Sequence, residues 1–417
     1  MPAQPDQLLT ITSARLRGHR DLQDIRIEDG TIAAIEVAGR SPAGPSVIDA
    51  DGGLVTVSFC NAHLHLDKVF TLASLGEKAL HYYQGAGMGR AMRAIDTAAA
   101  VKQSQNAEQM VRHARQAVAM AAFYGTTHIR AFADVDSKAG VRGVEVLCLV
   151  RDEFAGVVDV QVVAFPQDGI LKEPGNVELL DRSLEIGADV VGGIPWIELT
   201  EHAMRDHVRI AFELAEAHDK DVSMLLDDAG DPGLRTLEMM AVEAATRGWA
   251  GRAMAHHCRA MELYPEPYFE RLVALLREAD VSVVSDPHTG PLHARVGELL
   301  ELGVNVILGQ DDISDAYYAF GRNNMLEVAF LGAHLLWMMT SAGQAAMYDT
   351  VTVNAAKGMN VLGHEVAVGN RANLVVLDAP NVTEALRFQA PPRCVVSHGN
   401  PVDLDRMAEI GGIPGRM

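Results

Sequence analysis

Over residues 8–57 the apolar positions show no helical period. They fall in short β-rich runs: Leu8–Leu16, Ile25–Ile27, Thr31–Val37, Val47–Ile48 and Leu54–Val57. Asp29-Gly30 and Asp51-Gly52 stand between runs, and each reads as a hairpin signal. From residue 58 an apolar run is followed by a helical pattern, again and again. The runs at 58–63, 126–131, 158–166, 188–194, 221–227, 252–258, 281–286 and 305–311 predict eight strands. Helical periods between them include Glu108–Phe123, Val177–Ile186, Ala203–Ala217, Leu234–Arg247, Glu266–Ala279 and Arg295–Leu302. Gly125, Gly187, Gly248 and Gly303 follow helical stretches, where helix C-caps belong.

Eight strand–helix units over about 250 residues predict an α/β chain built on a (β/α)8 TIM-like barrel. A doubly wound open sheet is the alternative, but no Gly-rich phosphate loop follows the first strand. Met325–Thr340 and Ala342–Met359 read as helices after the barrel, and Ala372–Leu377 and Arg393–Val396 as strands. The expected domains are therefore 1–57 and 366–417, two parts of one small β-sandwich, and 58–365, the barrel.

Composition narrows the function classes. The chain has 417 residues, 48% hydrophobic, which is ample for one large core. Lys and Arg total 35 against 55 Asp and Glu, a formal charge of −20, which disfavours nucleic acid and anionic membranes as partners. Cys60, Cys148, Cys258 and Cys394 are scattered, with no CxxC, and do not read as a disulfide framework. No basic stretch followed by an apolar one opens the sequence, so the expected location is cytoplasmic. The most apolar segment, Met325–Met339, is broken by Glu327 and His334 and is too short to span a bilayer.

In a barrel of this kind, chemistry sits at the C-terminal strand ends. The first strand ends in Asn61-Ala62-His63-Leu64-His65-Leu66-Asp67, and residues i and i+2 of a strand share a side, so His63 and His65 can reach one cation. The third ends at Gln167, the fifth at Asp227 and Asp228, the sixth at His256-His257, the eighth at Gln310-Asp311-Asp312. Histidines plus a carboxylate suit Zn²⁺, Fe²⁺ or Mn²⁺. Such a cation lowers the pKa of water, and a neighbouring carboxylate can carry its proton to a leaving amine. Asp311 is placed to touch metal and water, and Asp228 to act as proton shuttle. The blander alternative makes His257 a core histidine and Asp311 and Asp312 loop caps. The fourth strand, Ala188–Ile194, carries no lysine to bridge two metals, which predicts a single ion.

These motifs, with Val162–Leu171, Gly187–Pro195, Gly309–Asp315, Asn324-Met325-Leu326 and Val368–Leu377, resemble the amidohydrolase superfamily, in particular its cytosine deaminase and N-isopropylammelide amidohydrolase clade. The resemblance runs essentially end to end. It implies His63, His65, His257 and Asp311 as ligands of one divalent metal (Zn or Fe; Mn possible), and Asp228 and Asp311 as catalytic groups. It implies Gln167 as a ring-binding amide, and Asp312 and Tyr317 near the substrate, with Asp227 beside them. It also implies a small heterocyclic substrate and a homo-oligomer. The sequence departs from the family at Leu225, where the family has a histidine ligand, at Asp228, where it has glutamate, and at Gln310, where it has histidine. The expected reaction is hydrolysis of a C–N bond in a small nitrogen heterocycle, foremost deamination of a cytosine-like ring. Removal of an alkylamine or opening of a cyclic amide is the alternative, and a non-hydrolytic binder is a third. Leu225, Ser223 and Asp227 alternate with Met224 and Leu226, so Asp227 is expected on the metal side, as a possible substitute ligand.

Overall fold

The structure is a computed structural model that describes residues 8–40, 45–75 and 106–414. Eight parallel strands run in sequence order around a barrel: Phe59–Leu64, Thr126–Asp134, Asp159–Phe165, Val190–Gly193, Asp221–Leu226, Ala253–His257, Ser282–Ser285 and Val306–Leu308. Each pairs with the next. The last returns to the first through a parallel bridge between Leu64 and Asp311. The Asp311 N–H donates to the His63 carbonyl at 2.9 Å and the His65 N–H to the Asp311 carbonyl at 2.8 Å, so the seam closes at the C-terminal mouth.

The helices form where the periodicity places them, because polar side chains cap orphan N–H groups at their starts. Asn106 caps Ala107–Phe123 by accepting from the Glu108 N–H, and Thr200 caps Glu201–His218 by accepting from the Ala203 N–H. Gly248 ends Thr236–Arg247 at φ 72°, a conformation glycine adopts without a Cβ penalty. A helix at Arg142–Phe154, which carries no clear punctuation at its start, adds to those the pattern suggested. The stretch expected as one helix over 342–359 is two, Ser341–Thr350 and Val353–Gly358. No helix among the described residues is long and apolar enough to cross a membrane.

The barrel floor is filled by Cys60, Ala62, Met254, Val284 and Ile307, capped by Ala355, Ala356 and Met359. Above it Arg130 is fully buried, with its guanidinium bonded to Gln161 at 2.9 Å and Ser223 at 3.0 Å and 3.6 Å from Asp221. Burial pulls it down to about 10, so it stays charged and its partners compensate.

The two ends of the chain form two four-stranded sheets. One runs Thr31–Val37, Gln23–Glu28, Leu9–Ala14, Ser46–Asp49; the other runs Asn400–Pro401, Cys394–Ser397, Leu374–Leu377, Leu54–Val57. Their facing apolar residues, among them Ile11, Ile25, Ile27, Val55, Leu374 and Val376, make one core. Asp29-Gly30 is a hairpin turn, with both residues at positive φ, 47° and 75°. Asp51-Gly52 is not. It also has positive φ, 49° and 73°, but Leu54–Val57 leaves its predecessor and pairs with the tail strand Leu374–Leu377. The turn therefore carries the chain from one sheet to the other. The tail is less β-rich than the pattern suggested, since Val382–Phe388 and Leu404–Gly411 are helices and the second packs on Ala107–Phe123.

Ile25 is fully buried between the two sheets. Ile25→Ala should cost about 2–5 kcal/mol in a urea melt, the usual range for deleting a buried aliphatic side chain.

Candidate metal centre

The seam where the barrel closes gathers the side chains expected as ligands. Asp311 Oδ1 lies 3.1 Å from His63 Nε2, 3.8 Å from His65 Nε2 and 3.9 Å from His257 Nε2. Donors around a tetrahedral Zn²⁺, with bonds of about 2.0–2.1 Å, stand roughly 3.4 Å apart, so the spacing fits a single small cation. His257 and Asp311 both sit at φ 66°, in the left-handed region. This breaks the strand alternation and turns both side chains toward the axis. Such a conformation costs a non-glycine residue of order 1–3 kcal/mol and persists only where the surroundings enforce it. Here the backbone bonds of the seam do so. Gly309 permits the close approach: a Cβ there would stand 2.5 Å from Asp286 Oδ1 and 2.7 Å from the His63 Cβ.

Groups behind the ligands hold them. Asp286, fully buried, faces His257 Nδ1 at 3.2 Å, the usual carboxylate behind a ligating histidine. Thr289 Oγ1 donates to Asp311 Oδ2 at 2.7 Å. His63 Nδ1 lies 2.7 Å from His256 Nδ1. Burial, then the nearby Lys68 and His63, holds His65 well below the usual imidazole range, so its nitrogen lone pair is available at neutral pH. Burial alone would raise the Asp311 carboxyl; His257, His63 and His65 outweigh it and keep it ionised.

A second set of acidic groups, Asp67 and Asp134 beside His65, could also hold an ion by spacing. Lys68 already fills that role. Its ammonium is buried, donates to Asp134 at 2.9 Å, and is raised further by Asp134 and Asp67 against the pull of burial. Asp67 Oδ2 accepts the Asp134 N–H at 2.8 Å. The chain thus supplies its own cation next to that carboxylate pair.

The remaining expected site residues are distributed as follows. Gln167 is buried at the mouth, but its Oε1 accepts from Lys68 at 3.2 Å, which leaves its N–H₂ for a ligand. Asp228 is bonded through Oδ1 to Arg259, whose other amine donates to Thr289 and lies 3.8 Å from Asp311 Oδ2. Asp312 is buried, and burial, then Asp311 and Asp315, pushes its carboxyl well above the usual range. Tyr317 is half-buried, with its N–H on Asp315 Oδ1 at 2.9 Å. Gln310 bonds the Asp312 carbonyl and the Asn323 N–H with its side-chain amide.

Asp227 departs from expectation. Its φ of 46° ends the strand alternation after Leu226, and its carboxylate turns to the start of helix Thr236–Arg247. There it accepts from the Thr236 N–H at 2.7 Å, the Thr236 hydroxyl at 2.6 Å, the Leu237 N–H at 3.3 Å and the Tyr264 hydroxyl. Its carboxylate is thus occupied as an acceptor at a helix start. Leu225 does face the mouth side. It packs with Phe132, Phe165 and Trp196, and Phe132 in turn lies 4.5 Å from the His63 ring and Phe165 5.5 Å from His65. An apolar wall therefore stands where an imidazole could have been.

Sequence reading missed Lys68, Asp134, Asp286, Arg259 and Thr289. Lys68 directly follows the Asn61–Asp67 motif, and Asp286 closes the seventh predicted run. Asp134 fell beyond the predicted end of the second strand, which runs three residues further.

The closed (β/α)8 barrel carries a His-x-His pair at the end of its first strand, a histidine on its sixth and an aspartate just beyond its eighth. The chain belongs to the amidohydrolase family, whose model matches residues 46–403. It is similar to N-isopropylammelide isopropyl amidohydrolase of Pseudomonas sp. strain ADP, 28% identical over 96% of this chain and 98% of the relative. It is also similar to pterin deaminase of Rhizobium rhizogenes, 26% identical over 91% and 87%. Among solved structures, 5-methylcytosine deaminase from Klebsiella pneumoniae liganded with phosphonocytosine superposes with a TM-score of 0.87 at 31% identity, covering 94% of this chain and 97% of that one.

Asp227→Ala should lower the thermal stability by about 2–3 kcal/mol, the loss of several buried acceptor bonds at a helix start, and leave metal affinity unchanged in a chelator titration.

Proposed function

We propose that this amidohydrolase hydrolyses the exocyclic C–N bond of a small aminated nitrogen heterocycle, releasing ammonia. The observation that carries the reading is the convergence of His63, His65, His257 and Asp311 at the barrel seam, within 3.1–3.9 Å of one carboxylate oxygen. Those four residues would hold one divalent cation, Zn, Fe or Mn, which supplies Lewis acidity that brings the ionisation of water toward neutral pH.

The chain's own residues do the rest. Asp311 Oδ2, held by Thr289, faces the mouth as a fixed negative charge that orients an incoming water. Asp228 uses one oxygen to hold Arg259, and its other oxygen takes the proton and returns it to the leaving nitrogen. Water oxygen bonds the ring carbon, the C–N bond breaks, and the amine leaves with the transferred proton. Gln167, anchored through its carbonyl by Lys68, presents its N–H₂ as donor to a ring carbonyl or ring nitrogen. The activities named for relatives, deamination of a pterin and of 5-methylcytosine, support the class of substrate.

Release of an alkylamine is the second reading. The wall of Phe132, Phe165, Trp196 and Leu225 beside the histidines favours it, since an alkyl group on the leaving nitrogen would find apolar surface there. The similarity to an isopropylammelide amidohydrolase is consistent with it.

Metal-stripped chain should lose turnover and regain it with one equivalent of Zn²⁺, Fe²⁺ or Mn²⁺. Reconstituted chain screened against aminated and N-alkylated pyrimidines, triazines and pteridines should release ammonia or alkylamine from at least one. Full metal loading with no amine released from any ring would overturn the hydrolase reading.

A further inference from the structure

We propose that His256 is a positioning residue that sets the tautomer and orientation of His63 for metal ligation. The inference rests on the reading of His63 as a ligand. Strand pairing puts His256 directly beside Leu225, in register. The imidazole missing from the fifth strand therefore has a neighbour on the sixth, but one placed behind the first ligand rather than in the ligand set.

Two ring nitrogens 2.7 Å apart share one proton: two N–H groups would repel at that distance, and two lone pairs would leave both unpaired. For His63 Nε2 to offer a lone pair to a cation, its ring proton must sit on Nδ1. That proton then points at His256 Nδ1, which must accept it, so the His256 proton sits on Nε2. In the reverse arrangement His256 Nδ1 donates, and His63 carries its proton on Nε2, 3.1 Å from Asp311 Oδ1. The pair thus has two self-consistent states, one closed on Asp311 and one open to a cation. Passing from one to the other relocates a proton within each ring and changes no net charge.

Two further observations point to a role beyond filling space. His256 is fully buried, and its Nε2 has no hydrogen-bond partner among the described residues. A leucine or phenylalanine would pack there without stranding a polar atom, so retaining an imidazole is explained by what its Nδ1 does. The geometry is also fixed from the side. Phe132 lies 4.5 Å from the His63 ring and 5.1 Å from the His256 ring, and holds both planes. His257 is oriented by the carboxylate of Asp286 and His63 by a neutral acceptor, so the two ligands are held by different chemistry. With Leu225 in place of a fifth donor, binding depends on the pre-set geometry of the four that remain.

The test is Zn²⁺ affinity by chelator competition for the full chain, for His256→Phe, which keeps the aromatic bulk and removes the acceptor, and for His256→Asn, whose Oδ1 accepts from about the place of Nδ1. Melting temperatures of the metal-free chains are measured alongside. The expected result is a 10–100-fold loss for the Phe variant, the range for removing a partner of a ligating histidine, with affinity largely restored in the Asn variant. If His256→Phe does not fold, His256→Leu takes its place. Unchanged affinity in the apolar variant overturns the proposal. An equal loss in the apolar and Asn variants overturns it too, because packing alone would then account for the effect. A wild-type chain that binds no Zn²⁺ overturns the ligand reading itself, a result distinct from either.

Discussion

The structure depends on the hydrogen bonds that close the barrel between its eighth and first strands. The His63 carbonyl, the Asp311 N–H and carbonyl, and the His65 N–H form one short ladder. This ladder does two things at once. It removes the free edge that an eight-stranded parallel sheet would otherwise expose. It also fixes two histidines and an aspartate against each other, so these side chains are placed by the fold's own closure rather than by a flexible loop. The left-handed φ at Asp311 and the bare Cα of Gly309 are the local consequences of bringing these strands so close.

Electrostatics around that seam are asymmetric. On one side, His63, His65 and His257 face Asp311 and leave room for one cation. On the other, Lys68 sits among Asp67, Asp134, Asp312 and Asp315 and offsets part of their charge. A buried ammonium is costly unless paired, and here the pairing is dense. Between these two regions lies Gln167, bonded to the Lys68 side and within reach of the mouth. The apolar wall of Phe132, Phe165, Trp196 and Leu225 completes the surroundings, lowering the local dielectric and strengthening each charged contact.

Much of this architecture was legible in the sequence. Eight apolar runs separated by helical periods gave strands whose order needs no rearrangement, because parallel βα units connect neighbour to neighbour. The His-x-His spacing placed His63 and His65 on one side of the chain at the barrel mouth. What escaped was set by backbone conformation and by pairing at a distance. Alternation put Asp227 on the metal side, but a left-handed residue after Leu226 rotates it into a helix start. Asp51-Gly52 has hairpin chemistry, yet the strand that follows finds its partner more than three hundred residues later. Adjacent residues of a strand ordinarily face opposite sides, yet a positive φ at His257 lets both His256 and His257 point inward. Local pattern cannot report these, since each is decided by a tertiary contact.

The central claim is that one cation is held at the barrel seam by His63, His65, His257 and Asp311. The most direct measurement is anomalous X-ray scattering from crystals of metal-loaded chain, with data at the Zn, Fe and Mn edges. The account predicts one strong peak, enclosed by those four side chains and within bonding distance of all of them. A principal peak bounded by other residues, or two peaks bridged across the mouth, would contradict it.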